Sequence, residues 1–203
     1  MQTERMKQAR IRDIRHMELI QATILALHQQ GFHKVTLSQI AEQCGATAAS
    51  VNYYFGSKEK LLEATMRHLM SQLRDAAVDG LSKAHDPKSR LQAIIAANFA
   101  DRLFTIEQCS VWVQFWSAAP YAEGLSRLQH INRTRLSRNI EHALRHLLVD
   151  PETRRAVGST LMAYFDGIWI AAAQSNRPIN AAKVRADAAQ VLGLLLRDAG
   201  VSD

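Results

Sequence analysis

The sequence predicts an all-α protein: an N-terminal three-helix head containing a helix-turn-helix, followed by a larger C-terminal helical domain. Three observations predict it. Apolar residues recur at spacings of three and four along nearly all of the 203-residue chain, the signature of amphipathic helices. No sustained stretch alternates with period two, and no segment repeats. Helix-opening residues stand before one apolar run after another: Thr36, Thr47, Ser57, Asp86-Pro87, Thr105, Asp150-Pro151 and Asn180.

Composition narrows the class. Apolar side chains make up 47% of the chain, enough for a substantial core, while four prolines and nine glycines are too few for an all-β fold of many tight turns. A formal charge of +6 and a pI near 9.6 favour an anionic partner. Cys44 and Cys109 lie far apart and form no CxxC, which fits a reducing cytoplasm. No apolar run reads as the roughly 20 residues of a membrane span. The basic N-terminus lacks the apolar core of an export signal, so a cytoplasmic protein without membrane partners is expected.

From the N-terminus, Arg5, Lys7, Arg10, Arg12 and Arg15 face only Glu4 and Asp13. Such a basic arm suits DNA phosphates or a minor groove, or simple solvation as a tail. Met17, Ile20, Ile24 and Leu27 mark the buried face of a first helix, which Gly31 ends; Phe32 and Val35 fold back onto it. The stretch 36–58, TLSQIAEQCGATAASVNYYFGSK, then reads as two short helices around a tight turn. Thr36 and Gln39 form a capping box over a helix with Ile40 and Ala41 inside. Gly45 supplies a left-handed position, and Thr47 caps the second helix. Val51, Tyr54 and Phe55 face inward, which leaves Thr47, Ala49, Ser50, Asn52 and Tyr53 outward. That outward face is small, polar and uncharged, as a helix reading the DNA major groove would be; a plain helical hairpin is the alternative.

Ser57 caps a long helix running to about Leu81, which joins the head to the body. Lys58 in its first turn opposes the helix dipole, an arrangement that makes sense with a DNA phosphate at that terminus. The helix after Asp86-Pro87 turns Leu91, Ile94, Ile95 and Phe99 inward. Thr105 with Gln108 repeats the capping box and opens an aromatic helix that Pro120 breaks. The stretch 121–148 has Leu125, Leu128, Leu136, Ile140, Leu144 and Leu147 at core spacing. The helix after Asp150-Pro151 carries LMAYFDGIWIAAA, apolar nearly all round, and must be covered on both sides. The last helix carries Val184, Val191, Leu192, Leu195 and Leu196. Residues 161–173 and 184–196 are therefore expected to pack on their twofold mates in a homodimer.

The aromatic residues point to a ligand. Trp112, Phe115 and Trp116 share a helix face at i, i+3 and i+4, and Tyr121 follows; Phe99, Tyr164, Phe165 and Trp169 come from helices that would be neighbours. Core packing accounts for some of them. Two tryptophans on one short helix exceed what a core needs, because a buried indole N–H must find an acceptor. Aromatic faces hold desolvated quaternary ammonium ions by about 2 kcal/mol or more per contact. Asp166 or Asp101 would add a counter-charge. The chain has no GxSxG, P-loop, GxGxxG or HExxH motif, and His142 and His146, spaced i, i+4, have no third metal ligand. Neither an enzyme nor a cofactor is expected.

The run VTLSQIAEQCGATAASVNYYFGSKEKLL resembles the DNA-binding motif of the TetR repressors, with Ala46 where Val is usual and Ala49 where Gly or Pro is common. The resemblance implies a homodimeric repressor on a near-palindromic operator, with residues 1–60 as the DNA-binding domain (motif 36–55) and residues 61–203 for effector binding and dimerisation. It also implies that Thr36, Thr47, Tyr53, Tyr54 and Lys58 contact phosphates and that Ser38, Ala48, Ala49, Ser50 and Asn52 face bases. Further along, LLEATMRHLMSQLRDA, LQAIIAANF, WVQFWSAAP, LSRLQHINRTRLSRNI and FDGIWIAAA are similar to the choline-responsive BetI repressors. That similarity implies repression of choline-to-glycine-betaine genes, relieved when choline binds among Phe99, Trp112, Phe115, Trp116, Tyr121, Tyr164, Asp166 and Trp169. A TetR-type repressor for another hydrophobic or cationic effector is the alternative within the class. Outside it stands a helical small-molecule-binding protein or enzyme without DNA function.

Overall fold

The computed structural model describes residues 2–175 and 177–201, and only the backbone for residues 2–5 and 7–9. The roles expected of the Arg5 and Lys7 side chains thus lie outside the described residues. The described residues form helices α1 (Gln2–Gln30), α2 (Leu37–Glu42), α3 (Ala48–Phe55), α4 (Lys58–Ser82), α5 (Pro87–Asn98), α6 (Ile106–Ala118), α7 (Glu123–Leu144), α8 (Pro151–Ala173) and α9 (Ala181–Asp198), with a 3₁₀ turn at Ala119–Tyr121. No strand occurs among them.

The punctuation expected from the sequence sets these boundaries. The Thr36, Thr47, Ser57, Asp86, Thr105, Asp150 and Asn180 side chains each accept a hydrogen bond from a backbone N–H two or three residues on. Thr36 and Gln39 close a full capping box. At Thr105 the box is half made: Gln108 N donates to the hydroxyl, while the Gln108 side-chain amide donates to Arg102 O at 3.2 Å. Gly31 and Gly45 end α1 and α2 at positive φ, 81° and 62°, which a side chain would oppose.

The basic arm is an extension of α1. The first helix begins at Gln2, about four turns before the stripe that marked it, and Arg10, Arg12 and Arg15 lie exposed along it. Met17 is 39% exposed. The buried stripe is centred on Leu19, Thr23 and Leu27, with Ile20 and Ile24 at its edge and Met17 beyond. Thr23 is tolerated inside because its hydroxyl donates to Leu19 O at 2.7 Å.

One core runs through the molecule. In the head it joins α1 to Ile40, Ala41, Val51 and Phe55. α4 continues it, packing on α1 and α3 with one half and on α5 and α7 with its length. In the body α6 lies against α8 and α1, and α9 lies on α5 and α8. α8 buries Val157, Leu161, Phe165, Trp169 and Ala172, but within this chain its other side, including Ala163, Gly167 and Ile170, is open. By length and composition α8 would cross a membrane, contrary to the reading of the sequence. Here that apolar character serves packing on α6 and α7. His146 falls in the turn after α7, so it does not share a helix with His142, although the rings meet edge to face at 5.7 Å.

Candidate DNA-binding head and aromatic effector site

α3 is the exposed helix of the head. Val51 and Phe55 anchor it, Val51 fully buried, and its N-terminus is tied by Thr47, which accepts from Ser50 N at 3.1 Å. Thr36, Ser38, Thr47, Ala49 and Asn52 are exposed, and Tyr53 is 83% exposed. Ala48, Ser50, Tyr54 and Lys58 are half-buried. Ser50 has its hydroxyl 3.0 Å from that of Thr47. The ten residues expected at DNA thus fall on one reading helix and the caps around it, some turned outward and some at its edge.

His16 received no role from the sequence. Its ring lies 4.2 Å from Phe55 and 5.8 Å, edge to face, from Tyr54. Tyr53 in turn meets Tyr54 edge to face at 5.2 Å. The arm helix therefore braces the end of the reading helix through an aromatic stack. At the start of α4 the first turn already carries a carboxylate. Glu59 is held below the usual carboxylate range by its own backbone N–H, then by Ser57 and by the charge of Lys58. A phosphate arriving there would share the terminus with Glu59.

In the body the three tryptophans meet. Trp112 and Trp116 on α6 and Trp169 on α8 have ring centroids 6.1 to 6.4 Å apart. Phe104 extends the cluster at 5.2 Å from Trp169, Phe99 follows at 5.1 Å from Phe104, and Phe165 at 5.2 Å from Phe99. Phe104 was missed in the sequence. Its signal was local: it precedes the cap Thr105, where a hydrophobic residue commonly staples a helix entry. The indole N–H groups of Trp112 and Trp116 are buried without an acceptor, which costs about 1–3 kcal/mol for each.

Several expected members stand elsewhere. Phe115 faces the head, meeting Phe32 edge to face at 6.1 Å. Tyr121 sits on the 3₁₀ turn after Pro120 and is 90% exposed, because that turn carries it off the α6 face. Tyr164 is half-buried at the edge of the core. Asp166 accepts from Arg133 Nη1 at 2.7 Å, and Asp101 pairs with Arg185 at 3.1 Å. Neither carboxylate is left over as a counter-charge for the rings. The same α6 that holds two tryptophans also grips the head: Gln114 Nε2 donates to Leu27 O at 3.1 Å.

Comparison with known proteins follows this division. Residues 19–65 match the model for bacterial regulatory proteins of the tetR family, and residues 87–197 match the C-terminal model of BetI-type transcriptional repressors. The HTH-type transcriptional regulator BetI of Burkholderia lata is 37% identical over 171 residues, covering 84% of this chain and 88% of that one. Among solved structures, a transcriptional regulator from Rhodococcus sp. Rha1 matches with a TM-score of 0.78 at 17% identity, over 93% of this chain and 99% of that one. A transcriptional regulator from Saccharomonospora viridis, solved in complex with choline, matches with a TM-score of 0.76 at 19% identity, over 89% and 96%.

Proposed function

The chain belongs to the TetR family of transcriptional regulators and carries the C-terminal domain of a BetI-type repressor; on that premise we propose that it represses choline-to-glycine-betaine genes and leaves its operator when choline binds. Residues 1–60 hold the DNA, with Asn52 and its neighbours on base edges and Tyr53 and Lys58 on phosphates. Residues 61–203 bind the effector and pair the two subunits through α8 and α9. Its place is the cytoplasm, with the chromosome. Family membership sets aside a helical enzyme or binding protein without DNA function.

The observation that carries the choline reading is the cluster of Trp112, Trp116 and Trp169 with two unpaired indole N–H groups. A trimethylammonium group within about 6 Å of each ring would gain three cation–π contacts, and the hydroxyl of choline would give an indole N–H its acceptor. Choline bound in the S. viridis regulator supports the same chemistry. Phe99 and Phe104 back the cage; Tyr121 and Asp166 stand outside it in this conformation. The pairing of Asp166 and Asp101 with arginines favours a second reading, an uncharged aromatic-seeking effector in the same place.

Choline, glycine betaine and sodium chloride at matched ionic strength, titrated against the protein on a labelled operator, test the proposal. Saturable release by choline is expected. An operator that stays bound at saturating choline would refute it.

A further inference from the structure

Away from the tryptophans, α4, α5 and α7 enclose a second cleft, floored by Leu73, Ile94 and Leu136 and rimmed by Arg135, Asn132 and Asn139. About 40 Å³ of it is open to water-sized spheres, room for a few waters or for one small planar group. Arg135 is its unusual member. Its Nη2 donates to Asn132 Oδ1 at 2.8 Å and more weakly to Met70 O at 3.4 Å. No carboxylate stands within ion-pair distance of it among the described residues.

The charges around it do not neutralise it. Arg74 and Asp75, the near neighbours, pair with each other at 2.9 Å, which leaves one net positive charge at the cleft. Burial pulls the Arg135 pKa below its ordinary value, repulsion from Arg74 adds to this, and Asp75 opposes it. A guanidinium stays protonated regardless, so it sits half-buried and under-compensated. The amides complete a donor set. Asn132 gives its oxygen to Arg135, which leaves its NH₂ free, and the Asn139 side chain makes no hydrogen bond among the described residues.

We propose that this cleft binds a short-chain monocarboxylate, with its carboxylate on Arg135 and the Asn132 and Asn139 amides and its alkyl tail on Leu73, Ile94 and Leu136. The planar fork of a guanidinium matches a carboxylate with two parallel hydrogen bonds. The apolar floor favours a tail that sulfate and phosphate lack. Leu73 belongs to α4, the helix that carries the head, so an occupant preferring one α4 position over another shifts operator affinity. None of these residues belongs to the tryptophan cluster, and the site stands or falls without choline.

The test uses the full chain with sodium butyrate, against sodium chloride and sodium sulfate at matched ionic strength, read by thermal unfolding and operator binding. Butyrate should raise Tm saturably while the two salts do not. Arg135→Gln should weaken butyrate binding by about tenfold or more, the scale of a lost bidentate charged contact. Asn139→Ala should weaken it severalfold, and Trp116→Ala should leave it unchanged. Equal shifts from all three salts, or no saturable effect of butyrate, would overturn the site; so would wild-type butyrate binding in Arg135→Gln or in Asn139→Ala. If Arg135→Gln does not fold, Asn139→Ala decides, since its side chain bonds to nothing else in the described chain.

Discussion

At the scale of single residues, the head and the body give separable outcomes. Tyr53 stands 83% exposed at the edge of α3, so its hydroxyl is placed for a phosphate, a contact that carries no sequence information. Tyr53→Phe should weaken binding to operator and non-specific DNA alike, by about tenfold at most. Asn52→Ala should instead change preference at chosen operator positions, because a side-chain amide reads base edges. Competition binding against a panel of single-base operator variants distinguishes the two, and a changed preference in Tyr53→Phe would reverse its assignment. Trp116→Ala should leave operator affinity intact and remove the choline response. Intact release by choline at wild-type concentrations would make the tryptophan cluster a piece of core. Cys109 offers a further check on burial. Desolvation first, then Glu107, pushes its thiol up to about 12, so at neutral pH a thiol reagent should modify the half-buried Cys44 well before Cys109.

At the scale of helices, the caps were legible because they are local. Thr47, Asp86 and Asp150 accept from backbone N–H groups within three residues, and nothing distant decides that geometry. Asp86 and Asp150 are held below the ordinary carboxylate range by those bonds, chiefly from Ser89 and from Thr153. A lowered folded pKa adds stability that is present above the unfolded pKa and lost as pH falls through the folded one. Asp86→Ala and Asp150→Ala should therefore lower Tm at neutral pH, and their deficit should shrink in acid. A deficit constant with pH would assign the effect to helix propensity. What the sequence did not disclose is set by neighbours. Spacing put Phe115 with the tryptophans, yet α6 lies between α1 and α8, and Phe115 turns to the head while Trp112 turns to α8. His16 was invisible because its partners, Tyr54 and Phe55, come from a different helix. The same sandwiching gives α6 a part in transmission, beside the expected lever α4. Gln114→Ala removes its hydrogen bond to Leu27 O and should weaken the effect of choline on operator affinity while choline still binds. Full coupling in that variant would leave α4 as the sole lever.

At the scale of the whole molecule, the reading requires two subunits. An operator with twofold symmetry presents half-sites about 34 Å, or a multiple of it, apart, beyond the reach of one head. The surface suited to pairing is the face of α8 that this chain leaves open, where Ala163, Gly167 and Ile170 follow one another at helical spacing beside the exposed Leu194 of α9. Small residues there let a partner helix come close, and Ile170 and Leu194 supply apolar area that a lone chain leaves wet. Gly167 discriminates between folding and pairing. A Cβ built on it meets no atom within 4 Å in the chain, and its φ is not positive. Gly167→Leu should therefore leave the subunit folded, and even gain helix propensity of up to about 1 kcal/mol. A partner helix seated on that face would meet the new side chain. The variant should sediment as a folded monomer at micromolar concentration and lose most of its operator affinity, since paired heads bind with a high effective concentration that single heads lack. A Gly167→Leu protein that remains dimeric, with wild-type operator binding, would move the interface off this face of α8.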